Sequence, residues 1–185
     1  MTRMQAVLML ALLGSVAGCG DSDSPTSPTP AAPTPRTIAQ GGFSLQAPTA
    51  EAVFFGAVVV TDPSPGNWEA TVDWTFATNM VWMYVANGTC TAEQFASDAC
   101  PDTPACPCQF TVRSEVATPK PRILSIPNAP GGTRTLIVLN LGPREESGTY
   151  AVRLTPTTQT FDSIESSGTP AQPHRVVVGR KKLPR

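Results

Sequence analysis

The sequence predicts an all-β protein with a single folded domain, an antiparallel β-sandwich. Strict alternation of apolar and polar residues over 68–76 is the first sign, and eight short strand-like runs separated by turn sequences are the second. The third is composition: 20 prolines, 14 glycines and 15% charged side chains in 185 residues suit turn-rich sheet better than packed helix. In the alternating run, Trp68, Ala70, Val72, Trp74 and Phe76 are interleaved with Glu69, Thr71, Asp73 and Thr75, the pattern of a strand with one buried face.

Residues 1–18 read as a signal peptide, with a positive n-region at Arg3, an apolar stretch over 6–14 and small residues over 15–18. The apolar stretch ends within about 15 residues, short of the roughly 20 that a helix needs to cross the hydrocarbon core. Val16-Ala17-Gly18-Cys19 resembles the bacterial lipobox. That resemblance implies a diacylglycerol thioether on Cys19, which becomes the mature N-terminus, and further fatty-acyl (palmitate-type) anchoring in the membrane. Gly20 stands where an Asp tends to retain such lipoproteins in the inner membrane of diderm bacteria, so the resemblance implies the cell outer membrane.

The lipid-anchored segment 19–36 is rich in Pro, Ser and Thr and lacks aromatic and large aliphatic side chains. With nothing to bury, it is expected to be a disordered, extended linker. At about 3.1 Å per residue it holds the domain roughly 50 Å from the lipid.

The sandwich is expected over 37–156, with strands at 43–47, 52–61, 68–76, 80–86, 109–116, 122–126, 133–141 and 149–155. Asp62-Pro63-Ser64-Pro65-Gly66-Asn67, Ala129-Pro130-Gly131-Gly132 and Gly142-Pro143 separate them, using proline's fixed φ and glycine's freedom to turn the chain. One short helical stretch is expected, over 91–96. Trp68, Trp74 and Trp82 are most simply core or inter-sheet residues, with a sugar-stacking platform as the sharper alternative.

The runs Glu69–Trp74 and Met80–Val85, Gly88-Thr89-Cys90, Lys120-Pro121-Arg122, Gly142–Ser147 and Tyr150–Leu154 together resemble bacterial pre-peptidase C-terminal-type domains. The resemblance covers roughly 43–156. It implies a jelly-roll-like sandwich that binds or spaces rather than catalyses. Where some members carry an Asp-x-Tyr element proposed to bind calcium, this chain has Trp82-Met83-Tyr84, so no metal is expected, nor any other cofactor. Leu139-Asn140-Leu141, Ser147-Gly148-Thr149-Tyr150 and Trp82 are similar to the E–F corner and core Trp of immunoglobulin domains, which also implies a sandwich, although Val152 stands at the position of the usual second Cys.

Cys90, Cys100, Cys106 and Cys108 all fall in the Cys-rich loop 87–109. An exported chain meets an oxidising compartment, so all four are expected in disulfides. Three connectivities are possible. The pre-peptidase resemblance favours Cys90–Cys100, which leaves Cys106 and Cys108 in a tight ring, and the crossed set Cys90–Cys106 with Cys100–Cys108 stays open. Zinc and a redox-active Cys-Pro-Cys are the functional rivals, and neither has the usual two-residue spacing of its motif.

Residues 157–185 read as a flexible basic tail with one added strand at 175–178. Arg175, Arg180, Lys181, Lys182 and Arg185 carry no acid among them, whereas the chain from 19 to 174 holds seven bases against 14 acids. An acidic body does not suit nucleic acid. His174 is the single histidine, there is no nucleophile elbow, zinc-helix motif or phosphate loop, and Glu145-Glu146 read as a solvated turn. The expectation is a non-enzymatic envelope lipoprotein presenting a binding or adhesion module to a polysaccharide or protein partner. The alternative is a structural accessory subunit of an envelope complex.

Overall fold

Strand β1 (Arg36–Leu45) leads into β2 (Ala52–Asp62), β3 (Gly66–Trp74) and β4 (Val81–Asn87); helix α1 (Ala92–Ala96) follows in the Cys-rich loop. Beyond it come β5 (Gln109–Ser114), β6 (Arg122–Ala129), β7 (Gly132–Asn140), β8 (Glu146–Pro156) and β9 (Val177–Lys182). The computed structural model describes residues 32–116, 120–157 and 174–183. The expected signal peptide 1–18, Cys19, most of the linker 19–36 and the tail over 158–173 lie outside the described residues.

Two antiparallel sheets form, one ordered β1-β8-β3-β6 and the other β5-β4-β7-β2-β9. Without β9, the orders 1-8-3-6 and 5-4-7-2 describe two interlocked Greek keys, which is the topology of an eight-stranded jelly roll. The sandwich is therefore a jelly roll with a ninth strand added beside β2, and it does not have the strand order of an immunoglobulin domain.

Between the sheets, Phe43, Leu45, Trp68, Val72, Trp74, Leu124, Val152 and Leu154 of the four-stranded sheet meet Val58, Val60, Val81, Met83, Val85, Leu136 and Val138 of the five-stranded one. A bulge between Thr37 and Ala39 lets neighbouring Ile38 and Ala39 both turn inward. The run predicted over 68–76 stops at Trp74, and Phe76 is 40% exposed with the Arg144 guanidinium over its ring. Beyond the strand, the alternation no longer determines which way a side chain faces.

The central strands of the five-stranded sheet do not alternate. Val81 to Ala86 and Arg134 to Asn140 are buried on both faces apart from half-buried Trp82, as strands covered on two sides are. The second cover is the Cys-rich loop. Phe95 of α1 is fully buried against Phe55, Tyr84 and Phe110, with ring centroids 4.8, 5.8 and 6.0 Å away, and Val53, Ala57, Ile137 and Leu139 complete this outer core. Each Val, Leu, Ile or Phe side chain removed from water here contributes about 1.5–3 kcal/mol. Val59 lies past the loop's reach on the same face and is 38% exposed.

Candidate functional site

Three local devices hold the Cys-rich loop on the sheet. At its start, Gly88 turns with φ of +75°, a conformation that favours glycine. Thr135 on β7 then bridges the turn, its hydroxyl accepting from Cys90 N and donating to Gly88 O, both at 2.9 Å. In the middle, Thr91 and Gln94 cap α1 reciprocally: Thr91 Oγ1 accepts from Gln94 N at 3.2 Å, and Gln94 Oε1 accepts from Thr91 N at 2.8 Å.

The third device is a nested pair of disulfides, Cys90–Cys108 and Cys100–Cys106, with Cα separations of 5.3 and 4.7 Å. All four cysteines are paired, but neither Cys90–Cys100 nor the crossed set is present. The ladder between β4 and β5 explains the difference. Asn87 pairs with Gln109, so Cys90, three residues after one strand, is brought to Cys108, one residue before the other. The inner two cysteines are left to close the tip. The sulfurs of Cys100, Cys106 and Cys108 lie within 4.8 Å of one another, and all three are already in disulfide bonds.

Strand β9 locks the loop from the side. It pairs with β2 from Ala52↔Lys182 to Ala57↔Val177, so the strand expected at 175–178 lies at Val177–Lys182. Gly179 sits over the Phe55 ring, where a Cβ would approach to 2.3 Å. Lys181 Nζ donates to the carbonyls of Phe95 and Ser97 at 3.2 and 2.6 Å and lies 5.6 Å from the centre of the Phe95 ring. Burial lowers the Lys181 pKa, against the opposing pull of Asp98 and Asp102.

A cleft of about 490 Å³ opens where sheet, loop and β9 meet. Val53, Trp82, Tyr84, Leu139 and Leu141 form its apolar floor; Asp98, Pro101, Asp102 and Thr103 of the loop form one wall; Lys181, Lys182 and Leu183 form another. Tyr84 Oη donates to Glu115 Oε1 at 2.7 Å, and burial above all, then this carboxylate, pushes its phenol far above the ordinary range. Asp102 receives Arg113 at 3.2 Å. Trp82 is not an inter-sheet residue: it sits on the outer face, half-buried, and its Nε1 is buried with no hydrogen-bond partner among the described residues. Trp68 and Trp74 lie in the inner core, as the alternation predicts.

The other candidates are placed elsewhere. His174 Nε2 lies 3.3 Å from Ile38 O, and its carbonyl accepts from Tyr150 Oη at 3.0 Å, both on the four-stranded sheet. Glu146 is not part of a solvated turn. It is 1% exposed, and its carboxylate accepts from Thr75 N and Asn79 Nδ2 at 2.8 Å and from Ser147 N at 3.0 Å. Glu145 is exposed. Cys19 lies outside the described residues.

No family model and no curated protein matches the sequence. Among solved structures, the chain is similar to the crystal structure of the Yersinia pseudotuberculosis-derived mitogen. The TM-score is 0.43 at 8% identity, over 74% of this chain and 99% of that one, a likeness that carries no argument about ligand or activity.

Proposed function

We propose that this chain is a cell-envelope lipoprotein, anchored through Cys19 in the outer membrane, whose proline-rich stalk presents a non-catalytic jelly-roll binding module. The observation that carries the binding half is the cleft over Trp82. It joins an apolar floor to charged and hydroxyl-bearing walls, the composition of a small-ligand site, and it is built on a sheet pinned by two disulfides and a lysine strut. The lipobox resemblance at residues 16–19 and the stalk composition over 20–36 support the anchored half.

Binding is favoured over catalysis by the arrangement of the acids. Asp98 and Asp102 belong to one short stretch of one wall, whereas glycoside chemistry sets two carboxyl groups on either side of the scissile bond. Cys100, which lines the cleft, is held in the disulfide with Cys106, and the Thr103 hydroxyl donates to the Ala99 carbonyl at 2.7 Å rather than to a base.

The test is retention of the detergent-solubilised lipoprotein on immobilised peptidoglycan, envelope glycans and envelope protein extract. The expected result is retention on one of them that falls when Trp82 is changed to Phe. Equal retention of both forms, or none on any support, contradicts the binding reading. A fixed stoichiometric partner that co-purifies independently of Trp82 supports the accessory-subunit alternative instead.

A further inference from the structure

We propose that the cleft over Trp82 is a saccharide site, taking one or two sugar rings with a C–H face on the indole and hydroxyls turned to Asp98, Asp102 and Thr103. The inference rests on the binding reading above and names its ligand class.

The chemistry of the lining separates this ligand from its rivals. A hydrocarbon chain would match the floor of Val53, Leu139 and Leu141 but would strip water from the Asp98 carboxylate on the adjacent wall, a charge that is costly to bury without a partner. An extended peptide satisfies its own backbone by adding to a sheet edge, whereas this cleft lies over a sheet face and is walled by side chains. A sugar ring presents an apolar C–H face and a rim of hydroxyl donors and acceptors to one concave site, which is what the floor and walls supply together.

Further observations agree. Trp82 lines the cleft, and its Nε1 is buried with no hydrogen-bond partner among the described residues. Of the two walls, the Lys181 ammonium is already committed to the Phe95 and Ser97 carbonyls, and Asp102 is shared with Arg113. Asp98 is in no ion pair among the described residues and stands exposed at the rim, ready to accept from vicinal hydroxyls. The volume, about 490 Å³, lies within the range of roughly 300–1,000 Å³ for small-ligand clefts.

The three tryptophans make the site directly readable. Trp68 and Trp74 are 1% and 2% exposed in the inner core, so a ligand in this cleft perturbs the emission of Trp82 alone. The full lipoprotein, held in an amine-oxide detergent that carries no sugar, is titrated with soluble tetramers of N-acetylglucosamine and of glucose. Tryptophan fluorescence and titration calorimetry are read in parallel. The expected result is a saturable spectral change with at least one tetramer, weakened about tenfold or more by Asp98→Asn, an exposed substitution that leaves the fold intact. Trp82→Phe is expected to abolish the spectral change and to weaken calorimetric binding.

No saturable response with either tetramer overturns the saccharide assignment. In that case the binding reading survives only if envelope protein extract still retains the chain in a Trp82-dependent way. Sugar binding of unchanged strength in both variants overturns the placement of the site.

Discussion

Lys181 Nζ lies 2.6 Å from the carbonyl oxygen of Ser97, so the end of the last strand caps the end of the only helix among the described residues. A cation at a helix C-terminus satisfies carbonyls that have no partner within the helix. Here it also fixes the wall that carries Asp98. Replacing Lys181 with Met keeps the apolar stem and removes both bonds. The expected cost is about 1–3 kcal/mol, read by denaturant unfolding, with faster amide exchange over 92–103 and little change within the inner sheets.

The nested disulfides should differ in weight. Cys90–Cys108 spans 18 residues and Cys100–Cys106 spans 6, so the chain-entropy model gives about 3 and about 2 kcal/mol. Peptide mapping of the unreduced protein is expected to recover the 90–108 and 100–106 links. Replacing the outer pair with serines should lower stability more than replacing the inner pair. Recovery of a 90–100 link would contradict the register argument that ties Cys90 to Cys108.

Glu146 predicts a third effect. A buried carboxylate that accepts from Thr75, Ser147 and Asn79 joins the end of β3, the turn before β4 and the start of β8. Glu146→Ala leaves those donors unmet in a buried place and should cost roughly 3 kcal/mol. Glu145→Ala, one residue away on the surface, should change unfolding by less than about 0.5 kcal/mol.

Alkaline pH reports on the two tyrosines. Burial raises the pKa of Tyr84, with Glu115 adding to it, and burial raises that of Tyr150. An unfolded phenol ionises near pH 10. The stability these raised pKa values provide is therefore complete below that pH and is lost as the pH climbs above it. The Tyr84 phenolate is expected to appear only together with loss of structure; reversible ionisation of both tyrosines near pH 10 in the folded protein would contradict the burial of Tyr84.

Much of this fold is legible in the sequence, because period-two patterning reports a buried face wherever only one face is buried. The inward set at Trp68, Ala70, Val72 and Trp74 follows from it directly. The outer core is less visible: Tyr84 and Leu139 interrupt the alternation in runs that are apolar throughout, a sign that both faces are covered, but not of what covers them. The disulfide pairing follows from the pairing of β4 with β5, since an antiparallel ladder brings the cysteines nearest its two ends together, and the strand runs alone do not say which strands are neighbours. Glu146 was hidden for a different reason. A carboxylate in a Gly-Pro-Arg-Glu-Glu turn looks solvated until the approach of Thr75 and Asn79, some 70 residues earlier, supplies its donors. The cleft combines residues from three distant stretches, 53, 82–103 and 139–183, and no local pattern joins them.

The anchored-module account depends most on Cys19, and intact mass spectrometry of the chain extracted from membranes tests it most directly. The account predicts a polypeptide beginning at Cys19, heavier by diacylglycerol and further acyl mass and lighter by the four hydrogens lost in two disulfides. A water-soluble chain with an unmodified Cys19, or one that retains residues 1–18, would contradict it.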